Sequence, residues 1–253
     1  MNTLTGIVIT KNEEHLIKDC LRSLTFCDEV VVVDNESSDQ TVAISKKVGA
    51  HVYLYKSSDF ADARNYALKK ITSKWILYID ADERASDTLR DSIQHVVNNS
   101  DSSYSAYRVK RQNFYLGNHK WPKIELLERL FQRSKLEKWY GKLHESPKVE
   151  GEIGTLDGFL LHYTHRNLSE MVEKTLEWSK IEAELRFEQN HPPVVWWRFP
   201  RVMVSAFWDS YVSQSGWKVG TVGVIESVYQ AFSAFITYAR LWEMQKKSNK
   251  QEV

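Results

Sequence analysis

Two aspartates separated by one residue, Asp80 and Asp82, follow the apolar run Trp75–Ile79. Carboxylates at alternate positions beyond a strand can point to the same side, and such oxygen ligands suit Mg²⁺ or Mn²⁺. A metal held there would bridge the oxygens of a pyrophosphate and neutralise charge on a departing nucleoside diphosphate. By itself this spacing is common, and a solvated acidic turn would explain it better. Its position at the end of a predicted strand indicates a metal-ligand pair instead.

Two further polar segments also follow predicted strands. The first, Thr10–Glu14, stands where a strand gives way to a helix, and such a junction can place backbone N–H groups around a nucleotide. Asn12 is also a candidate cap for that helix. The second segment opens with Asp34 and Asn35, whose carboxylate and amide match the donor and acceptor edge of uracil, although a simple polar turn would look the same.

The elements that must position these residues alternate along the first hundred positions. Four short apolar runs predict strands buried on both faces of a parallel sheet: Leu4–Thr10, Val30–Val33, His51–Tyr55 and Trp75–Ile79. Helical patterns follow Asn12, run from Asp39 to a stop at Gly49, and cover Phe60–Lys70. This order predicts an α/β fold with a Rossmann-like, mostly parallel sheet that binds ligands beyond the carboxyl ends of its strands.

The pattern changes twice after this region. Mixed strands are predicted at Tyr107–Phe114, Leu130–Arg133 and Phe159–Tyr163. Asn167, with Glu170 three residues later, predicts a capped helix that ends before Pro192. Aromatic-rich helices should then cover about 195–214 and 222–244. We therefore predict a catalytic domain over 1–165, with a nucleotide-sugar half over about 1–100 and an acceptor half over 101–165, and a helical extension over 166–253.

The composition excludes several classes of protein. A hydrophobic share of 42% with 26% charged residues indicates a folded chain, and a net charge of +1 gives no general field for nucleic acid. No basic-then-apolar leader precedes the first strand, and no apolar run is long enough to span a bilayer. The two cysteines, Cys20 and Cys27, suit reduced thiols. These observations predict a cytoplasmic protein that does not bind nucleic acid.

Several segments together resemble the inverting family 2 glycosyltransferases, which have the GT-A fold. The resemblance is carried by Ile9–Glu14, Val31–Thr41, Arg64-Asn65, Trp75–Glu83, Arg129-Leu130-Phe131 and Gly141–Glu145. Within that family the chain is most similar to bacterial β-1,4-glucosyltransferases of the lipopolysaccharide or lipooligosaccharide inner core. The resemblance implies a UDP-sugar donor, with UDP-glucose expected, and a lipid-linked saccharide acceptor such as an inner-core heptose. Such an enzyme would work at the cytoplasmic face of the inner membrane.

The same resemblance assigns roles to individual residues. It implies that Thr10, Asn12 and Glu14 line the nucleotide pocket and that Asp34 and Asn35 face the uracil. Arg64 would approach the donor phosphates or sugar, and Asp80 and Asp82 would hold the pyrophosphate through the metal. One departure is the absence of the Q-x-x-R-W motif of many relatives, which argues against a processive polysaccharide synthase.

Inverting transfer needs a base beside the acceptor hydroxyl, and a carboxylate is the usual choice. Glu145 is the candidate, with Glu83 and Asp157 as alternatives; an ordinary surface glutamate is the competing interpretation. His162 resembles the late histidine that completes the metal shell of several GT-A enzymes. His144 competes for that role, and a purely structural histidine remains the alternative for His162.

Nine tryptophans occur in the chain, and five of them lie between Trp196 and Trp242. They alternate with basic residues on predicted amphipathic helices, a combination that fits the headgroup region of a bilayer. The pattern therefore predicts a peripheral contact with the inner membrane. Packing of these helices on the catalytic domain, or on a second subunit of a homo-oligomer, is the alternative.

Other functions remain open at this point. A glycosyltransferase of the same fold could act on another cell-surface glycan or on a peptide or protein. A sugar-nucleotide nucleotidyltransferase would share the sheet and the metal, but it would carry a glycine-rich loop near the first strand, and Ile9–Glu14 contains no glycine. A non-catalytic nucleotide-sugar sensor would need no acceptor-side base.

Overall fold

The fold is described from a computed structural model that covers residues 3–99, 103–141 and 145–251. In chain order its helices and strands are β1 (Leu4–Thr10), α1 (Ile17–Arg22), β2 (Glu29–Asp34), α2 (Thr41–Val48), β3 (His51–Leu54), α3 (Phe60–Lys70), β4 (Trp75–Asp80), β5 (Glu83–Ala85), α4 (Asp87–Asn98), β6 (Ala106–Tyr115), β7 (His119–Gln132), β8 (Leu136–Tyr140), β9 (Ser146–Val149), β10 (Ile153–Tyr163), α5 (Leu168–Glu188), α6 (Arg198–Trp208) and α7 (Thr221–Gln251).

A central sheet contains eight of the described strands in the order β3-β2-β1-β4-β7-β6-β10-β5. Its first half is parallel: β1 pairs with β2 and β4, and β2 pairs with β3. Strand β7 then joins β4 in the antiparallel direction, and β5 joins β10 likewise. Strands β8 and β9 form a separate antiparallel pair. The predicted α/β architecture with a mostly parallel sheet flanked by helices is confirmed.

Burial along β1 and β4 explains why these strands read as unbroken apolar runs. Val8 and Leu77 belong to one buried cluster, whereas Ile7 and Tyr78 belong to another. Since successive side chains of a strand point to opposite faces, both faces of the parallel half are covered. The prediction of full burial is wrong for β3, which lies at the edge of the sheet and leaves Leu54 exposed.

Helix signals in the sequence are mostly confirmed. α3 has the predicted bounds, Gly49 ends α2 in the left-handed conformation with a φ of 98°, and the Asn167 side chain accepts a hydrogen bond from the Glu170 N–H. The prediction of Asn12 as a helix cap is wrong, because α1 begins only at Ile17. Asn12 has a φ of 54° and bonds to the loop after β2 instead.

The chain divides into two compact units, Met1–Gln112 with Ile124–His162 and Asn113–Lys123 with Tyr163–Val253. The second contains the C-terminal helices. α6 is shorter than the predicted helix, because its chain continues as a π-helical turn, Asp209–Ser213. α7 is the longest helix of this unit and exceeds its predicted bounds. No helix in the described ranges combines the length and apolarity needed to cross a bilayer.

Candidate active site

Parallel pairing brings three polar segments to one edge of the sheet. Thr10 of β1 lies opposite Asp34 of β2, and Ile9 lies opposite Asp80 of β4. The residues that follow these three strands therefore emerge side by side at their carboxyl ends. This is the edge at which open α/β sheets bind ligands.

The residues predicted to line a nucleotide pocket join neighbouring loops to one another. The Asn12 Oδ1 accepts from the Ser38 N–H at 2.8 Å, and a Glu14 carboxylate oxygen accepts from the Gln40 N–H at 2.9 Å. The fully buried Asp34 carboxylate accepts from both the N–H and the hydroxyl of Ser37, at 2.9 and 2.6 Å. The Asn12 and Glu14 bonds fix the loops after β1 and β2 against each other, and the Asp34 bonds fix the shape of the loop after β2.

The other two predicted nucleotide-contacting residues have different surroundings. Asn35 accepts a 3.2 Å hydrogen bond from the Ser57 N–H through its side-chain oxygen, so the loop after β2 is also tied to the segment before α3. The buried Thr10 hydroxyl has no hydrogen-bond partner in the part of the chain that the structure describes. Buried hydroxyls are normally paired. The Thr10 hydroxyl is therefore available to a ligand at this edge.

Asp80 lies between two buried arginines. One Asp80 oxygen is 2.8 Å from the Arg64 Nη2, and the other is 2.8 Å from the Arg129 Nη2. Burial acts to raise the pKa of Asp80, but Arg129 and then Arg64 outweigh burial and hold that pKa below its ordinary value. Asp80 is therefore a carboxylate at neutral pH, with both oxygens already engaged.

These contacts belong to a longer series of ion-paired side chains with alternating charge, which we call the charge chain. Its seven members, in order of contact, are Glu145, Arg64, Asp80, Arg129, Glu83, Arg111 and Glu125. The six linking distances run from 2.6 to 3.2 Å. An isolated buried charge is unfavourable, so each member depends on its neighbours. The charge chain connects α3, β4, β5, β6 and β7 with the residue before β9.

Glu83, an alternative candidate for the base, is completely buried within this chain. One of its oxygens accepts from Arg129 at 2.8 Å and from Arg111 at 3.2 Å, and the other accepts from the Asp80 N–H at 2.9 Å. These contacts favour a positioning role for Glu83. Asp157, the other alternative, is exposed and lies 3.6 Å from the Lys110 ammonium.

Glu145 lies in the same charge chain as Asp80. Its Oε1 accepts from the Arg64 Nε at 3.1 Å and lies 3.0 Å from the Arg64 Nη2, the nitrogen that also contacts Asp80. Two residues predicted to act on the two substrates therefore share one guanidinium. Arg64 is itself held over the Trp139 ring, 4.7 Å from its centroid. His144, the alternative to His162 as a metal ligand, lies outside the described residues.

Asp82 points to a different partner from Asp80. Its Oδ2 lies 3.2 Å from the His162 Nε2, and both side chains are largely buried. Burial acts to lower the pKa of His162, but the charge and hydrogen bond of Asp82 outweigh burial and raise that pKa above its ordinary value. The structure thus brings together two of the three predicted metal ligands, while Asp80 faces the arginines.

Asp82 and His162 fit a Mg²⁺ or Mn²⁺ site in which the protein supplies only two of the ligands. Within residues 3–99, 103–141 and 145–251, no group of three His, Cys, Asp or Glu side chains could hold a metal ion. Mg²⁺ usually takes one or two carboxylates and fills its other positions with water and substrate phosphates, and imidazole is acceptable to Mn²⁺. One carboxylate and one imidazole at this edge are therefore enough protein ligands when a diphosphate and water supply the remaining ones.

Comparison with known proteins identifies the family. The Glycosyl transferase family 2 profile matches residues 5–150, which are more than half of the chain and include every charged residue described above except His162 and Asp157. The chain belongs to glycosyl transferase family 2. It is therefore a glycosyltransferase with the GT-A type of fold.

Relatives of this family 2 glycosyltransferase align over nearly its whole length. The lipopolysaccharide core biosynthesis glycosyltransferase LpsC of Rhizobium meliloti is 28% identical, covering 95% of this chain and 92% of LpsC. An uncharacterised glycosyltransferase of Rickettsia typhi is also 28% identical, with 98% and 89% covered.

Solved structures share the fold at low identity. The mannosyltransferase PcManGT of Pyrobaculum calidifontis, solved with GDP-Man and Mn²⁺, has a TM-score of 0.56 at 14% identity, covering 96% of this chain and 88% of its own. TarS of S. aureus, solved with UDP, has a TM-score of 0.50 at 16% identity, with 97% and 92% covered. These likenesses support the fold of the family 2 glycosyltransferase.

Sequence reasoning gave no individual role to Arg129 or Arg111. Arg129 was named only as the first residue of a family motif. Its position directly before the apolar pair Leu130-Phe131 could have indicated a buried charge. It is almost fully buried and its Nε has no hydrogen-bond partner among the described residues. Arg111 carries no such signal, because β6 contains three cationic residues before Gln112.

Proposed function

We propose that this family 2 glycosyltransferase transfers a hexose, with inversion, from a UDP-sugar to a lipid-linked saccharide, assisted by Mg²⁺ or Mn²⁺. The observation that carries the proposal is the pairing of Asp82 with His162 beside the Asp80–Arg64–Glu145 contacts. This arrangement puts candidate ligands for a diphosphate-bound metal in the same compact unit as a candidate acceptor-side base.

The donor side would be formed by the loops after β1, β2 and β4. The Thr10 hydroxyl supports a nucleotide site because it is buried without a partner among the described residues. We assign UDP-glucose as the donor, with Asp34 and Asn35 toward the uracil and Asn12 and Glu14 holding the loops in place. The UDP in the TarS structure is consistent with this choice, whereas the GDP-Man of PcManGT defines the alternative to be tested.

Asp82 and His162 would hold the metal, which when bound neutralises charge on the departing diphosphate. Asp80 would contribute through its two arginines. Arg64 and Arg129 are buried donors, and among the described residues the buried Nη1 of Arg64 and the buried Nε of Arg129 have no hydrogen-bond partner. Guanidinium groups suit phosphate oxygens because several N–H donors are presented in a fixed plane.

Glu145 would accept the proton of the attacking acceptor hydroxyl. Both bonds from Arg64 go to the Oε1 of Glu145, so we assign proton transfer to Oε2. Holding the carboxylate in one orientation favours catalysis, because a base must lie within hydrogen-bond reach of the proton that it removes. Glu145 is the last residue of Gly141–Glu145, one of the segments through which the chain resembles its family.

The acceptor assignment is supported by the name of LpsC, a lipopolysaccharide core biosynthesis enzyme that aligns over 95% of this chain. We infer a saccharide on a lipid anchor, such as an inner-core heptose, and therefore action at the cytoplasmic face of the inner membrane. An acceptor of another kind, a different surface glycan or a peptide, would leave the donor-side assignments unchanged.

A donor screen tests the proposal. Binding of UDP-glucose, UDP-galactose, UDP-N-acetylglucosamine and GDP-mannose would be measured with and without Mn²⁺, for the wild type and for Asp82→Asn. We expect Mn²⁺-dependent binding of UDP-glucose by the wild type and its loss in the variant. Preference for GDP-mannose would overturn the donor, and equal binding with and without Mn²⁺ would overturn the metal assignment.

A further inference from the structure

The second unit exposes an apolar face on α6. Four residues spaced by four, three and four positions share this face of the helix: Trp197, Arg201, Val204 and Trp208. All four are exposed; Val204 is 65% and Trp208 61% accessible to solvent. Trp196, directly before them, is 81% accessible. We call these five residues the α6 face.

Several large apolar side chains are rarely exposed to water together on one surface unless that surface has a partner. A contiguous exposed apolar patch marks a site of contact with a protein, a ligand or a membrane. Arg201, Val204 and Trp208 belong to α6 itself and Trp197 is its N-cap, so the exposure of these four residues does not come from an irregular loop. The question is therefore which partner covers the α6 face.

Cations accompany the tryptophans of this unit. The guanidinium carbons of Arg198 and Arg201 lie 5.0 and 5.9 Å from the centroid of the Trp197 ring. The Lys218 ammonium lies 5.3 Å from the centroid of the exposed Trp217 ring. Aromatic rings with adjacent cations suit the depth at which a bilayer's headgroups meet its acyl chains.

The charge of the surrounding segment is one-sided. Residues 195–248 contain six Lys or Arg and three Asp or Glu. Of the acidic residues, Glu226 is buried and paired with His165 at 3.0 Å, and Asp209 accepts from the Gln214 side chain at 2.7 Å. The exposed charge near the α6 face is thus mainly positive, which complements anionic lipid headgroups.

A second copy of the chain fits the α6 face less well. In a two-fold contact each residue faces the same patch of its partner, so Arg201 would approach its own counterpart. The α6 face itself contains no acidic residue to compensate. A surface of anionic lipid offers compensation to every cation at once.

We propose that the α6 face docks this enzyme on an anionic lipid bilayer, with the tryptophans and Val204 entering the interface and Arg201 contacting headgroup phosphates. This deepens the proposed function, since a lipid-linked acceptor would require the enzyme to work at a bilayer. Binding to lipid is nevertheless measurable without donor or acceptor, so its outcome is independent of the glycosyl-transfer assignment.

The test is co-sedimentation of the full chain with vesicles of phosphatidylcholine alone or mixed with phosphatidylglycerol. The variants are Trp208→Ser, Val204→Ser and Arg201→Gln. The control is Leu54→Ser, because Leu54 is as exposed as Val204, at 66%, but lies on β3 in the other unit. Circular dichroism and the thermal unfolding midpoint of each variant confirm that it is folded.

We expect binding to the anionic vesicles that weakens at high salt, and little binding to the neutral ones. Arg201→Gln should weaken it about fivefold, and the two apolar variants at least as much, while Leu54→Ser matches the wild type. Equal binding to both kinds of vesicle, or wild-type binding by all three variants, would overturn the proposal. A dimer in solution that Trp208→Ser converts to a monomer would likewise overturn it, in favour of a second copy.

Discussion

The imidazole Nε2 of His162 lies 3.2 Å from the Oδ2 of Asp82, although 80 residues separate the two in the sequence. Strand pairing explains the approach. β5 pairs with β10 so that His162 lies opposite Glu83, the residue directly after Asp82. A contact produced by sheet register is well suited to hold two candidate metal ligands together, because paired strands position both residues.

Replacing Asp82 by Asn should abolish metal-dependent transfer. The amide keeps the shape of the side chain but lacks the charge that a hard divalent cation prefers. We expect kcat/KM to fall more than about 100-fold, while the thermal unfolding midpoint stays near that of the wild type at a pH above the raised pKa of His162, where the charge pair no longer contributes. Asp87→Asn, at an exposed aspartate of α4, is the control and should retain activity. Metal-dependent transfer at the wild-type rate by the Asp82 variant would contradict the assignment.

Replacing Glu145 by Gln should separate donor binding from chemistry. The amide can still accept a hydrogen bond from Arg64, but it cannot take a proton from the acceptor hydroxyl. We expect kcat to fall by about 10²–10⁴ while the Kd for the UDP-sugar changes little. Asp157→Asn tests the competing exposed carboxylate and should leave kcat unchanged. If the Asp157 variant loses transfer and the Glu145 variant keeps it, the base has been misassigned.

Arg129→Met should strongly destabilise the first unit. Its guanidinium contacts both Asp80 and Glu83 at 2.8 Å, and an apolar replacement leaves two carboxylates facing each other in a buried site. We expect the free energy of unfolding to fall by about 3–5 kcal/mol. Arg108→Met removes a half-exposed pair with Glu128 and should cost less than about 1 kcal/mol. Urea unfolding curves measure both; similar losses would mean that the buried charge chain contributes little.

The metal-free protein should lose stability as the pH rises through the pKa of His162. Burial acts to lower that pKa, but Asp82 outweighs burial and raises it, so the folded state binds the proton more tightly than the unfolded state does. This contribution is complete below the ordinary histidine pKa of about 6.5 and disappears above the raised value.

The measurement is the thermal midpoint in EDTA from pH 5.5 to 9, for the wild type and for His162→Gln. The advantage of the wild type over the variant should shrink as the pH rises. An advantage that grows with pH would show that the histidine is stabilised in its neutral form.

Gly158→Ala should cost more stability than Gly49→Ala. Both glycines have a left-handed φ, of 89° and 98°, so both substitutions carry similar backbone strain. A Cβ at Gly158 would lie 2.3 Å from the backbone nitrogen of Leu89, whereas nothing lies within 4 Å of one at Gly49. Chemical denaturation of the two variants compares them directly, and equal losses would argue that α4 moves away from β10 without cost.

The order of strands and helices from β1 to β4, the edge of the sheet that carries the candidate site and the family are readable from the sequence, whereas β5, α4, β8 and β9 were not predicted. Local signals are sufficient for these features: buried apolar runs predict β1 and β4, Gly49 predicts the end of α2, and the acidic residues at the end of β4 mark the candidate site. Each depends on a few neighbouring residues and on backbone preferences that hold in any protein.

The partners of the acidic side chains were decided by the tertiary structure alone. Asp80 and Asp82 look equivalent in the sequence, yet one faces Arg64 and Arg129 and the other faces His162. Likewise Asn12, a plausible cap by type, bonds across to Ser38 instead. These contacts join residues 16 to 81 positions apart, so they depend on strand order, register and side-chain direction. Local preference does not determine strand order, register or side-chain direction. These are set only when the sheet assembles and each buried charge pairs with an opposite charge.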